Sequence, residues 1–423
     1  MSEPELREVV EAEARRAHDA AALLDDDAVA AALRGAAALA RSRRDAILAV
    51  NGEDCDLARG RLDEGMLDRL RLDDARVEAL AHQLEATADI APLQREGESW
   101  TLPNGLRVTE RRVPVGAVGA NFEARPNVVL DIAAQLLKSL NTAVLRTGSA
   151  ALGTATYLVD EILRPALTDA GLPEGAVGLV RSPDHEGARL LVSLPRLVPL
   201  VILRGSGETT AALARHAAEQ GVRTLAHAEG GGVLYIHPAA ARERALAVAG
   251  ASLDRLGVCN RLNLLLVDRG AAELLPELLA LLRDRSVEVR ATDRAAAGAD
   301  GARPLDKPLG YEWANDGDRV ATVTLDLVDG LDDAVRIANE ETSGLAAGIV
   351  TEDEAAAERF LGSYRGTTAF WHAPTRFADG FELTGVPETG INVDWTPGPR
   401  GPVTYRDLWL RQYRIVGDAT QTR

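Results

Sequence analysis

The sequence predicts an α/β protein made of two doubly wound parallel-sheet lobes in series, plus a small β arm. Three observations predict it. From residue 126 onward, short apolar runs of strand length alternate with helical stretches. The alternation closes near Pro238 and then begins again. Two outlying segments, 100–113 and the C-terminal stretch TPGPRGPVTYRDLWLRQYRIV, have a strand-like pattern punctuated by Pro or Asn-Gly. At 423 residues the chain also exceeds one ordinary core.

In order along the chain, residues 5 to about 95 read as helices. Leu6, Val10, Ala14, Ala17, Ala21 and Leu24 recur at helical spacing, alanine dominates, and Asn51-Gly52 interrupts. From Trp100, WTLPNGLRVTERRVPVGAVGANF alternates around Pro103-Asn104-Gly105, a hairpin signal. A helix follows over 126–140, then the strand TAVLR (142–146), the turn 147–149 and a helix over 150–170. Strands at 175–181, 197–205, 223–227 and 232–238 complete the first lobe. The second lobe begins with a helix at about 239–255 and a strand ending at Val267. It continues through the helix 271–285, VEVRAT, a Gly/Asp/Pro-rich loop (297–309), RVATVTLDLV, LDDAVRIANEE, GLAAGIVT, a helix over 353–363 and TTAFWHAP. The expected division is 1–98 with 114–238 as a helical plus dinucleotide-binding-type domain, 239–394 as a second domain, and 99–113 with 395–423 as the arm.

Composition excludes several functions. A net charge of −17 argues against nucleic acid or an anionic membrane as main partner, because both reward basic patches. No apolar run approaches the ~18 residues of a membrane span, and the N-terminus carries no apolar signal core. Two cysteines supply no disulfide framework, which suits a reducing cytoplasm. The histidines (His18, His82, His185, His216, His227, His237 and His372) are scattered, without metal-ligand spacing. No GxSxG elbow marks a serine nucleophile.

Two motifs remain. GVCNRLNLLLV (257–267) sets Cys259 at the mouth of an apolar strand, where Asn260 and backbone amides can support a thiolate. The same pattern also fits a buried cysteine acting as a small hydrophobe. RGSGET (204–209) follows a strand and opens a helix, as a phosphate turn does, though a plain strand–helix turn has the same form. Cys55, in the polar helical stretch GEDCDLARG, takes no role.

These residues carry a family likeness over nearly the whole chain. MLDRLRLDDARVEALAHQL (66–84), RRVPVGAVGANFEARPNVVLDIAAQLLKSLNTAVLR (111–146), LVPLVILRGSG (197–207), GVCNRLNLLLV, LDDAVRIANEE, IVTEDEAAAERFL and APTRFADGFE (373–382) stand in the right order and spacing. Together they resemble the γ-glutamyl phosphate reductase family of proline biosynthesis, a branch of the aldehyde dehydrogenase superfamily. The resemblance implies an aldehyde-dehydrogenase-like fold and an NADPH-dependent reduction of an acyl phosphate through a thioester on Cys259. It implies Asn127 as oxyanion donor, alongside a possible helix-capping role after Pro126. It places Glu123, Arg125, Thr375, Arg376, Phe377 and Glu388 toward a small anionic acyl-phosphate substrate. It places Thr147, Gly148, Ser149, Gly205, Ser206 and Gly207 toward the cofactor, with Arg146 and Arg204 as nearby cations.

The sequence departs from the family pattern around the cofactor. The family's Gly-Gly-Lys-Glu turn is here Thr147-Gly148-Ser149-Ala150, without the lysine. Gly317 aligns with the glutamate expected to grip the nicotinamide ribose. Leu256-Gly257-Val258 replaces Pro-Ser-Thr before the cysteine, and GVPETGINVDWTPGPRGP (385–402) lacks the family's Gln, Lys and His. Ala226 stands where the superfamily has its hydrolytic base, which favours reduction or acyl transfer over aldehyde oxidation. Two alternatives therefore stay open: a cofactor-independent cysteine acyltransferase working with a kinase or carrier-protein partner, and a non-catalytic partner subunit. The resemblance also implies a cytoplasmic homodimer or homotetramer assembled through the arm.

Overall fold

The computed structural model describes residues 2–422 apart from 124, 206, 228, 229, 255–257, 316–319, 396 and 397. Three of its N-terminal helices begin at aspartates whose carboxylates cap the first turn. Asp25 accepts from the Ala28 N–H, Asp63 from Met66 and Asp73 from Arg76. The helix Asp26–Ser42 buries Val29, Ala32, Leu33, Ala36, Ala37 and Ala40, an alternating three-and-one spacing that makes one apolar stripe. That stripe shares a core with the helices Asp74–Asp89 and Asn127–Lys138. Asp54 ties these helices to the first lobe by accepting from both the N–H and the hydroxyl of Thr154, each at 2.7 Å.

The first sheet has five parallel strands in the order Val177–Leu179, Thr142–Thr147, Ala117–Phe122, Leu200–Arg204, Arg223–His227. Strand order reverses at Ala117–Phe122, so a crevice opens beyond the carboxyl ends of that strand and its neighbours. The second sheet has seven parallel strands, with Leu262–Asp268 in the middle of the order. Every residue of that strand is buried, as expected where helices cover both faces of a parallel sheet.

The strand Gly232–Ile236 corrects the expected seam at residue 238. It lies inside the seven-stranded sheet, paired with Leu262–Asp268 and Ala346–Val350. The chain thus changes sheets between His227 and Gly232. Two successive strands with no helix between them look like neighbours of one sheet, and a triglycine turn conceals the crossing.

The arm is a three-stranded antiparallel sheet of Glu96–Thr101, Arg107–Pro114 and Trp409–Val416. The C-terminal strand pairs with the hairpin of its own chain, from Trp409↔Pro114 to Val416↔Arg107. Leu410, Tyr413, Ile415 and Trp100 remain exposed on it. Among the described residues no helix is long and apolar enough to cross a membrane.

Candidate active site

Cys259 sits in the turn between the helix Arg242–Ala251 and the strand Leu262–Asp268. A second turn, Gly230–Gly232, presses against it. The Gly231 N–H donates to the Cys259 carbonyl at 2.6 Å, and the Gly232 N–H to the Arg261 carbonyl at 2.8 Å. A Cβ on Gly230 would lie 2.4 Å from the Cys259 Cβ and 2.7 Å from its carbonyl oxygen, so only glycine fits. Gly231 has φ of +107°, a conformation that glycine adopts without strain.

Burial pushes the Cys259 thiol up to about 12, and the carboxylates of Glu312 and Glu388 push in the same direction, while Arg204 opposes them. The resting sulfur is therefore a thiol. Glu312 is itself buried and accepts from the Gly230 N–H at 2.8 Å. Nothing in the sequence marks it, since it precedes Trp313 in an irregular loop. Ala226, meanwhile, is buried in the edge strand Arg223–His227. Exchanging Glu312 for glutamine keeps an acceptor for Gly230 and removes a negative charge beside the sulfur. Alkylation of Cys259 by iodoacetamide at pH 8 is expected to speed up several-fold in that variant. Slower alkylation would show instead that Glu312 takes the thiol proton.

Asn127 opens the helix Asn127–Lys138, but its side chain makes no cap. Its Nδ2 donates instead to Asp131 Oδ2 at 3.3 Å, one helical turn on. The expected capping role thus gives way to an interaction along the helix. Burial raises the Asp131 carboxyl to about 7, opposed by Arg204 and by the Asn127 hydrogen bond.

Arg125 and Arg204 converge on the same place. Burial lowers the Arg125 guanidinium to about 10, helped by the positive charges of Arg204 and Arg69 and opposed by Cys259 and Glu123. Two neighbouring guanidinium groups make a setting that an anionic ligand relieves. Arg204, which the sequence groups with the cofactor, lies near Arg125 and Cys259; its Nη1 donates to the Thr389 carbonyl at 3.3 Å.

Glu388 accepts from the Gly380 N–H at 2.7 Å, and burial, followed by the charge of Asp379, raises its carboxyl to about 7. A carboxyl raised above its unfolded value favours folding below that unfolded value and loses the contribution as pH climbs through the folded one. Glu388→Gln is thus expected to stabilise the protein by about 1–3 kcal/mol at pH 8 and to change little near pH 4. Urea denaturation at the two pH values measures this, and equal gains at both would refute a charge effect.

The 375–377 triplet packs against the cysteine turn. Thr375 is fully buried and donates its hydroxyl proton to the Asn260 carbonyl at 2.8 Å. Arg376 pairs with Asp254 at 2.5 Å and also donates to the Asn260 side-chain oxygen. Asn260 Nδ2 donates in turn to the carbonyls of Arg376 and Ala378, at 2.9 and 3.1 Å. Thr375 and Arg376 therefore clamp the cysteine turn, with their polar groups already engaged. Phe377 is exposed. Glu123 is exposed too, and its carboxylate lies against Gly205.

A cavity of about 530 Å³ lies on the first lobe, between the helices Glu186–Leu191 and Gly207–Gln220. Asn121, Arg146, His185, Arg189, Thr209, Arg215 and His216 are among its lining residues. His185 and His216, distant in sequence, meet there. Arg146 is held by Asn121 Oδ1 at 3.3 Å and the Asp184 carbonyl at 3.1 Å, and its buried Nε has no partner among the described residues. Of the cofactor residues expected from the sequence, Arg146 lines the cavity and Gly207 starts the helix that flanks it. Thr147, Gly148, Ser149 and Gly205 lie outside its lining. Ser206, Leu256, Gly257 and Gly317 lie outside the described residues.

A thiol before the central strand of one parallel-sheet lobe, within electrostatic reach of Arg125 and Arg204 from the crevice of the other, makes an aldehyde-dehydrogenase-type site. In agreement, residues 3–299 match the model of the aldehyde dehydrogenase family. The chain is 36% identical over 401 residues to the γ-glutamyl phosphate reductase of Rhodospirillum rubrum, covering 93% of this chain and 91% of that one. It is likewise 36% identical over 399 residues to that of a Caulobacter species, covering 93% of each. The crystal structure of the Thermotoga maritima γ-glutamyl phosphate reductase superposes with a TM-score of 0.91 at 27% identity, covering 98% of this chain and 100% of that one. The chain belongs to the γ-glutamyl phosphate reductase branch of the aldehyde dehydrogenase family.

Proposed function

We propose that this chain reduces γ-glutamyl phosphate, or a closely related acyl phosphate, to the semialdehyde, with NADPH as reductant. The observation that carries the reading is the meeting of Cys259 with Arg125 and Arg204, in a site that also holds Asn127. The sulfur attacks the acyl carbon and the bond to the phosphate oxygen breaks; the thiol proton leaves with the phosphate as hydrogen phosphate, and a thioester remains on Cys259. Arg125 and Arg204 offset the charge of the bound and departing phosphate. NADPH, when bound, supplies the hydride that carries the thioester to the aldehyde level. The Asn127 amide stabilises the oxyanion at each tetrahedral stage. Collapse then releases the aldehyde and returns the sulfur.

The 530 Å³ cavity fits a phosphorylated nucleotide, with Arg146, Arg189 and Arg215 to hold its phosphates. In this reading Arg146 does the work of the missing lysine. The absence of that lysine from Thr147-Gly148-Ser149-Ala150 supports a second reading, in which Cys259 passes its acyl group to an amine or thiol without a redox step. Titration with NADPH and NADH, followed by nucleotide fluorescence and calorimetry, separates the two. Saturable NADPH binding, weakened about 10- to 100-fold by Arg146→Gln, is expected. No binding of either nucleotide would remove the reductase reading. The arm, with its open strand edges and exposed apolar face, supports assembly into a homodimer or homotetramer, and the family supports a cytoplasmic setting.

A further inference from the structure

A second cavity, of about 290 Å³, opens between the N-terminal helices and the helix Asn127–Lys138. Arg69, Arg71, Arg125, Asn127 and Asp131 are among the residues that line it. It therefore joins the oxyanion amide to a segment that the proposed chemistry does not use. That segment is held firmly. Leu70 and Leu72 are buried on either side of Arg71. The buried Asn51 donates to the Leu70 carbonyl at 2.9 Å and accepts from the Leu72 N–H at 2.7 Å. Asp68 is engaged by Arg76 at 3.1 Å. Among the described residues, neither Arg69 nor Arg71 has an ion-pair partner.

We propose that this cavity is the subsite for the amino-acid head of the substrate, with Arg69 taking the α-carboxylate and Asp131 the α-ammonium. The inference rests on the acyl-phosphate reading above. In γ-glutamyl phosphate the head is separated from the acyl carbon by two methylenes. With the acyl oxygen on Asn127, the head falls beside the helix that carries Asp131. A zwitterionic head needs one fixed cation and one fixed anion close together, and the cavity supplies both. Asp131 is suited to the ammonium because its buried carboxyl is raised to about 7, so a bound cation favours its charged form. Arg69 already presses on Arg125 electrostatically, and a carboxylate between them relieves both.

The test uses single-turnover acylation of the full-length protein, read as phosphate release and as the intact mass of acylated Cys259, with no nucleotide present. Three acyl phosphates serve as probes: γ-glutamyl phosphate, glutaryl phosphate, which lacks the ammonium, and butyryl phosphate, which lacks both head charges. Wild-type protein is expected to prefer γ-glutamyl over butyryl phosphate by about 100-fold or more. Arg69→Gln is expected to cut that ratio about 10- to 100-fold. Asp131→Asn is expected to cut the γ-glutamyl to glutaryl ratio while preserving the glutaryl to butyryl ratio. Because each ratio comes from one protein sample, a general loss of folding or of nucleophilicity cancels. An unchanged γ-glutamyl to butyryl ratio in Arg69→Gln overturns the subsite and leaves the thioester reading intact. Failure of all three probes to acylate Cys259 overturns the thioester reading, and the subsite with it.

Discussion

Replacing Cys259 by serine is expected to lower kcat/KM for acyl-phosphate reduction by about 10⁴-fold or more. The thiol is already hard to ionise, pushed up to about 12 by burial and by two carboxylates. A serine hydroxyl ionises several units higher still, and the same carboxylates would oppose its alkoxide. Serine is close to isosteric, so the tight approach of Gly230 is preserved. Nucleotide affinity should stay near the wild-type value, because the 530 Å³ cavity is not lined by residue 259. Steady-state kinetics with a parallel nucleotide titration measures both. Turnover close to wild type would remove Cys259 from the chemistry.

Asn127→Ala is expected to lower kcat by about 10²- to 10³-fold with a smaller effect on KM, the pattern of an oxyanion donor that acts chiefly in the transition state. One amide proton goes to Asp131. That bond fixes the amide plane and leaves the other proton for the developing oxyanion. The substitution also leaves Asp131 without this donor, so the carboxyl should rise further and the pH dependence of kcat should shift upward. Equal losses in binding and turnover would instead make Asn127 a ground-state contact.

Much of the scaffold was legible in the chain. TAVLR became the strand Thr142–Thr147, and LNLLLV became a strand buried on both faces. Such runs report burial directly, because a parallel strand covered on both sides excludes polar residues almost everywhere. Cys259 stood out as a candidate because it is a scarce thiol before such a run, and Asn127 because it follows the motif EARP. Glu312, Asp131 and Arg69 were not legible. Arg69 and Glu312 lie in mixed stretches whose pattern does not tell a solvated face from a site wall, and Asp131, flanked by apolar residues of its helix, has no local motif that says what it faces. The contacts of Arg204 and of the 375–377 triplet were not legible either: an arginine has several possible partners, and its neighbours in sequence do not choose among them.

The sequence by itself determined the two-lobe α/β class and the β character of the arm, and it singled out the thiol and the amide as candidates. These follow from hydrophobic pattern and local motif, which are short-range properties of the chain. The tertiary structure alone decided where one sheet ends and the other begins, since Gly232–Ile236 pairs across a triglycine turn. It alone decided that Thr375 and Arg376 clamp the cysteine turn, and that the charge of Arg204 reaches the thiol. It also decided that Glu312 lies beside the sulfur. The physical reason is that a charge has no fixed role until folding sets its distance to the next charge and the amount of water between them.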